Sequence, residues 1–357
     1  MMQPLRSFSA TSEPATLINW DTGNPLFLSP PDTLPVVCSS LAPDALSHFV
    51  FAHYDIEVPR ACRFWHRGLS DVYWLETWGN NYILRISHHH WRSRSEIEFE
   101  LEFLLFLSQR GLPVAAPLRS RQGNFYLTLN APEGPRYGAL FPVAPGSVAI
   151  GDLNPTQANI LGQTVAQMHL QSQDFTSYAR RSPLTPFYLI DESLHILAPF
   201  LEQRQEDWQY LIKTSLYLKN RFKSLPTNEP YWGVCWGDPH SGNVHFTADN
   251  QPTLFDFDQC GQGWRAFDVA KFLQVSLQTG LCRAVRGAFL KGYQSLTPLS
   301  PLEIDCLQAL TQTAYLWSWA IQVNALQFND YSRLSPNYFS QRLGQLKQLG
   351  SQDWQPF

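Results

Sequence analysis

Helical spacing of apolar residues and short β-like runs alternate from Ala42 to Ala144 of this chain, and beyond Gly146 the spacing is almost wholly helical. From Ala42 the run APDALSHFVFAHY carries its apolar side chains at helical intervals, with Asp44 near the start, where the helix dipole favours a carboxylate. Between Cys62 and Ser87 come three short β-like segments, RFWH, VYWLETW and NYILRIS, separated by turn formers at Gly68 to Asp71 and Gly79 to Asn81. That pattern predicts an antiparallel three-stranded meander. SRSEIEFELEFLLFLSQRG then reads as a helix, with Ser95 as cap, glutamates in the first turns and Gly111 as terminator. NFYLTL and YGALFPV add two strands before Pro145-Gly146, which places about five strands around one helix.

Past that point PTQANILGQTVAQMHLQSQ and ILAPFLEQRQEDWQYLIKTSLYLKNRF predict helices, and several more follow from Asp268 to the end. Strand signals return only in VHFTADNQPTLFDFD, and there is no internal repeat. The expected architecture is α+β: a small antiparallel β-rich lobe with one helix (41–144), then a larger, mainly helical lobe carrying a β-hairpin (145–357). Residues 1–40, rich in Ser, Thr and Pro and without sustained periodicity, form an N-terminal arm.

Composition narrows the partners. With 44% hydrophobic and only 16% charged residues among 357, the chain is able to bury sizeable cores. A net charge of −4 argues against nonspecific binding to nucleic acid or anionic membranes, which need a concentrated positive field. Its six cysteines are scattered, with no spacing suited to structural zinc, and read as buried thiols of a reducing compartment. No stretch approaches the roughly 20 apolar residues of a membrane span, nor does the N-terminus resemble a signal peptide, so a cytoplasmic location is expected.

Candidate chemistry concentrates in CWGDPHSGNVHFTADNQPTLFDFDQCG, Cys235 to Gly261. VHF and TLFDF flank ADNQP, so a hairpin turning near Asp249 and Asn250 is expected to set Asn243 opposite Asp256. An amide oxygen beside a carboxylate suits magnesium, which prefers oxygen ligands. Asp238, five residues before Asn243, would lie in the same loop, near enough to take a proton from a bound hydroxyl.

The pattern G-D-x-H-x-G-N, followed by D-F-D and G-W-R-A-F-D-V-A, resembles the aminoglycoside phosphotransferase and choline kinase superfamily. Within it the chain is most similar to the branch of the stress-response Ser/Thr kinase and the homoserine-kinase-like enzymes, over roughly residues 42 to 330. The resemblance implies a protein-kinase-like two-lobe fold and transfer of a phosphoryl group from ATP with Mg2+. It implies Asp238 as catalytic base and Asn243 and Asp256 as magnesium ligands. It also implies Arg85 as the cation on the nucleotide phosphates and Glu100, chosen over Glu96, Glu98 and Glu102 by family spacing alone, as its helix partner. Gly68 and Ser70 fall in the loop over the nucleotide, and Phe141 to Ala144, Val143 included, where a hinge holds adenine through backbone bonds. One departure stands out: Trp236 occupies the place of a histidine that scaffolds the catalytic loop.

Other readings carry less. No G-x-x-x-x-G-K-[ST] exists, which excludes a P-loop enzyme. GQGWRA mimics a dinucleotide fingerprint, but Asp256 and Asp258 just upstream would repel a pyrophosphate. His240 and His245 flank the loop without the further ligands of a dinuclear hydrolase, which leaves His240 as loop support. His88, His89 and His90 read as a polar, solvent-facing turn, and Trp317 and Trp319 as core. Asp268 opens a helix, where a carboxylate is able to hold the catalytic loop's backbone. The acceptor is expected to be a small-molecule hydroxyl. Two alternatives stand beside it: a protein Ser/Thr acceptor, and a catalytically silent nucleotide-binding module, motivated by Trp236 and the incomplete glycine loop. The oligomeric state is not legible.

Overall fold

In the computed structural model, residues 34–149 and 153–357 are described, and the expected N-terminal arm lies outside them up to residue 33. The chain divides into two units, Met1–Val36 and Val37–Phe357, and everything that follows concerns the second.

Helix α1 (Pro43–His53) precedes the meander β1 (Ala61–Arg67), β2 (Ser70–Glu76) and β3 (Asn81–Ser87). Then come α2 (Arg94–Gln109), β4 (Leu127–Ala131) and β5 (Gly134–Pro142), and the antiparallel sheet has the order β1-β2-β3-β5-β4. Period-two alternation gives the sheet two apolar faces. Tyr73, Leu75, Leu84, Ile86 and Leu140 pack under Leu46, Val50 and Tyr54 of α1, while Ala139 and Phe141 join the main core with Phe99, Phe103 and Leu107 of α2. The expected meander, first helix and five strands are all present. Ser93, however, is the cap of α2: its hydroxyl accepts from the Glu96 N–H while the Glu96 carboxylate takes the Ser93 N–H. Ser95 sits inside the helix, and Gly111, at φ 78, follows its end.

The helical part begins after β6 (Ser147–Val148) with α3 (Pro155–Ser172). The long run expected to be one helix is broken: a single π-helical turn, Phe187–Asp191, leads into α4 (Glu192–Leu201), and α5 (Gln205–Phe222) starts afresh. Pro199 lacks an N–H within α4, and Arg204 leaves helical geometry to bind Asp207 through its Nε at 2.7 Å. Three strands escaped the sequence reading: the short β6, and β7 (Trp232–Cys235) and β10 (Gly261–Trp264), which pair antiparallel. Between them β8 (Val244–Phe246) and β9 (Pro252–Leu254) form the hairpin, with β6 alongside. Helices α6 (Arg265–Thr279), α7 (Arg283–Leu296), α8 (Pro301–Asn329) and α9 (Pro336–Leu349) complete the chain. Trp317 and Trp319 of α8 are buried, as expected of core. Helices α3 and α7 meet at Gly162 and Gly292, where an added Cβ would lie 2.1 Å from Phe289 O and 2.0 Å from Asn159 O. Among the described residues no helix is long and apolar enough to cross a membrane.

Candidate active site

The loop after β7 takes its shape from α6. Asp268, in the first turn of α6 and fully buried, accepts the Trp236 N–H on Oδ2 at 2.7 Å and the Gly237 N–H on Oδ1 at 2.8 Å. His169 of α3 adds its Nε2 to Asp268 Oδ2 at 2.9 Å, with its Nδ1 on Tyr293 Oη at 2.8 Å. Both ring nitrogens and both carboxylate oxygens are thereby engaged, and the neighbouring Cys235 thiol, pushed up by burial, donates to Trp264 O at 3.2 Å. These three groups make a structural knot rather than a metal site. Gly237 has φ +84, and an added Cβ would lie 2.1 Å from Gln259 O, so the turn delivering Asp238 requires glycine.

Asp238 emerges from that turn with both oxygens engaged. Oδ2 accepts from Gln259 Nε2 at 2.9 Å and from Asn243 Nδ2 at 3.4 Å, with His240 Nε2 at 3.5 Å, while Oδ1 lies 3.4 Å from Lys271 Nζ. Burial alone would raise its pKa, but the Lys271 ammonium and His240 outweigh burial and hold the carboxyl well below the usual carboxylate range. His240 also accepts the Gly242 N–H on Nδ1 at 2.9 Å, the loop support expected of it.

The hairpin register differs from the expectation by one residue. Val244 pairs with Leu254 and Phe246 with Pro252, and the Phe255 N–H donates to Asn243 O at 3.0 Å, so Asn243 faces Phe255. A five-residue connection centred on Asp249, with Asn250 at φ 56, replaces the symmetric turn between Asp249 and Asn250. A one-residue slip would send the Asp256 side chain to the wrong face of a continuous strand. The strand stops instead, and Asp256 adopts φ 58, a left-handed conformation that costs about 1–3 kcal/mol and is concentrated at functional sites.

Trp236 answers for that conformation. Its indole is fully buried, stacks on Phe257 at 5.3 Å and 22°, and donates Nε1–H to Asp256 O at 3.0 Å. The large indole thus replaces the expected histidine with a donor of its own.

Asp256 opens into a cleft, with its side chain half exposed. Burial, together with the negative charges of Asp258, Glu100 and Asp238, pushes its pKa up to about 6 against the opposing pull of Arg85. Arg85 Nη1 reaches Asp256 Oδ1 at 3.3 Å and its Nη2 donates to Glu100 Oε1 at 2.7 Å. The other candidate glutamates are committed elsewhere: Glu96 to the cap, Glu98 to Arg94 and Tyr126, Glu102 to Ser177. Asp258 is buried and held by other partners, with Trp91 Nε1–H donating to its Oδ2 at 2.6 Å and Arg92 Nη2 donating to its carbonyl at 2.8 Å.

A cavity of about 460 Å³ adjoins these groups, lined by Arg85, Asp256, Phe255, Val148, Ala144, Phe141 and, from the sheet, Trp65, His66 and Trp74. Gly68 and Ser70 are not among its lining residues. The Gly68 N–H donates to Ser70 O at 3.0 Å in a tight turn, and Ser70 is buried, so the cavity is met by Trp65 and His66 of β1 and not by this loop. Phe141 and Val143 both line it, but Val143 donates its N–H to Asn81 O at 3.2 Å, which extends the sheet and takes that amide from any base. His245 fixes Ala144 O through Nδ1 at 2.8 Å. His88 corrects another expectation: it is buried, with Nε2 3.2 Å from Asp71 Oδ1. Sequence reasoning missed His169 and Lys271, since a lone histidine or lysine within a helical stretch carries no signal of its own.

The donor set fits a hard divalent cation. Asn243 turns its amide N–H groups to Asp238 O, at 3.1 Å, and to Oδ2, which leaves its own oxygen uncommitted, and Asp256 is a carboxylate short of positive charge.

Residues 61–303 match the protein family described as "Phosphotransferase enzyme family". An uncharacterised protein of Synechocystis sp. is 59% identical over 358 residues, 100% of this chain and 99% of that one. A homoserine kinase of Janthinobacterium sp. is 24% identical over 77% of this chain and 84% of its own. Among solved structures, amicoumacin kinase hAmiN in complex with AMP-PNP, Ca2+ and Ami superposes with a TM-score of 0.72 at 21% identity, covering 86% of this chain and 92% of that one, which shows the shared fold.

Proposed function

The chain belongs to the phosphotransferase enzyme family, and from that premise we propose that it transfers the γ-phosphoryl group of ATP to the hydroxyl of a small molecule. The observation that carries this reading is the meeting of Asp256 with Arg85, itself held by Glu100, at a cavity and from segments up to 171 residues apart, while the bonded pair Asn243–Asp238 faces the preceding residue, Phe255.

Arg85, gripped by Glu100, presents its guanidinium to the phosphates and stabilises charge that builds on them during transfer. Asn243 and Asp256 would hold Mg2+, whose charge would offset that of the phosphates. Asp238 accepts a hydrogen bond from the acceptor hydroxyl and aims its oxygen along the line of attack. As the oxygen–phosphorus bond forms and the bond to ADP breaks, the hydroxyl proton passes to Asp238, late in a loose transition state. Phe141, Val148, Phe255 and Trp74 supply apolar walls for the nucleobase, and with the Val143 N–H and Ala144 O taken, the Pro142 carbonyl and the Ala144 N–H are left to bond it. The name of the homoserine kinase supports a small-molecule acceptor.

The test is transfer from radiolabelled ATP into a metabolite extract or into mixed protein, with Asp238→Asn as control. Label in a small molecule, lost in the variant, is the expected result. Label in protein alone would move the acceptor to Ser or Thr, and wild-type turnover by Asp238→Asn would remove Asp238 as base.

A further inference from the structure

Lys271 lies one turn beyond Asp268 on α6, so one face of that helix addresses three successive loop residues. Asp268 takes the Trp236 and Gly237 amides, and Lys271 Nζ lies 3.4 Å from Asp238 Oδ1. Lys271 is only 2% exposed; its other neighbours are the Ser318 hydroxyl and the ring of Trp317, 5.6 Å from Nζ. A buried ammonium among neutral groups is unfavourable unless it is paired, and its ion pair among the described residues is with Asp238.

The two oxygens of Asp238 are not equivalent. Oδ2 has Gln259, Asn243 and His240 around it, all on the catalytic loop or just past the hairpin. Oδ1 has Lys271 and, with two lone pairs, the capacity to accept a further hydrogen bond. We infer that Lys271 is a positioning residue of the acceptor site: it anchors Oδ1, stops the carboxylate turning about its bond to Cβ, and so presents Oδ1 to the incoming hydroxyl. This rests on the phosphotransferase reading above. Lys271 lies outside the nucleotide cavity, so its effect falls on transfer and not on nucleotide binding.

The experiment compares wild type, Lys271→Met, Lys271→Arg, Asp238→Asn and the Asp238→Asn/Lys271→Met pair. Hydrolysis of MgATP with water as acceptor, MgADP affinity by calorimetry and melting temperature are measured on each. Lys271→Met should lower turnover roughly ten- to a hundredfold, the scale of a misplaced catalytic group. Its MgADP affinity should stay within about twofold of wild type, the pattern of a group needed only in transfer. Lys271→Arg, which keeps the charge, should recover part of the turnover. The melting losses of the two single variants should be non-additive, because each leaves the other's charge buried alone. Wild-type turnover in Lys271→Met while Asp238→Asn is inactive overturns the role of Lys271 and leaves the function standing. Additive melting losses, or lost MgADP affinity, overturn it as well. Equal hydrolysis by wild type and Asp238→Asn overturns the assignment of the base itself.

Discussion

Replacing Trp236 with Phe isolates one hydrogen bond in the candidate site. Phenylalanine keeps a ring to stack on Phe257 but has no N–H, so Asp256 O, accepting from Nε1 at 3.0 Å, loses its donor. Leaving a carbonyl without a partner costs about 1–3 kcal/mol when it is fully buried, and this part-buried one falls at or below the lower end. The lost indole volume adds to this, as cavity-forming substitutions do. Asp256 already carries the strain of φ 58, and the Trp236 donor fixes the peptide that follows it. The penalty therefore falls on the conformation that turns the carboxylate into the cleft. Unfolding entropy grows with length, so the Val37–Phe357 unit loses less than the roughly 2–4 °C per kcal/mol of a 150–250-residue domain, and a drop of a few degrees is expected. If about 1.4 kcal/mol of that is spent against the productive Asp256 conformation, Mg2+-dependent nucleotide affinity falls tenfold. Thermal unfolding with calorimetric titration of MgADP reads both quantities, and Trp236→His, which restores a ring N–H, should recover part of the affinity. An unchanged melting temperature and MgADP affinity in Trp236→Phe would refute the idea that this indole props the Asp256 backbone.

Two further predictions concern the charges of the cleft. Asp256 has a folded pKa pushed up to about 6, above the ordinary aspartate value, so its ionisation opposes folding; that opposition is absent below the ordinary value, grows between the two and is constant above the higher. Metal-free Asp256→Asn should therefore melt higher than wild type at pH 7.5, with the difference vanishing by about pH 4; a difference that persists in acid would contradict the crowding of negative charge around it. Arg85→Met should abolish most nucleotide affinity and, by leaving Glu100 buried without its cation, destabilise the fold by about 3–5 kcal/mol. Chemical unfolding checks this against Arg85→Met/Glu100→Gln, which should regain stability without regaining affinity.

Residue order alone determined what depends on neighbours close along the chain. The meander, α1, α2, the hairpin and the change from sheet to helices all follow from periodicity and turn residues, whose effects act over a few positions. The motif from Asp238 to Asp258 was legible for the same reason, since its members lie within a single loop and hairpin. What tertiary structure decided is which side chain meets which. Glu100 differs from Glu96, Glu98 and Glu102 only because the sheet carries Arg85 to one turn of α2 and the other three find different partners. His88 reads as a surface turn until Asp71 is folded beneath it, and Val143 as a free amide until Asn81 takes it. The single residue by which the hairpin register departs from expectation is compensated by the left-handed Asp256, a conformation held by Trp236 from twenty positions away. Lys271 and His169 carry no local signal at all. Coulomb attraction and burial depend on distance in space, and for these residues that distance is set by the packing of α3, α6 and α8 and not by their places in the sequence.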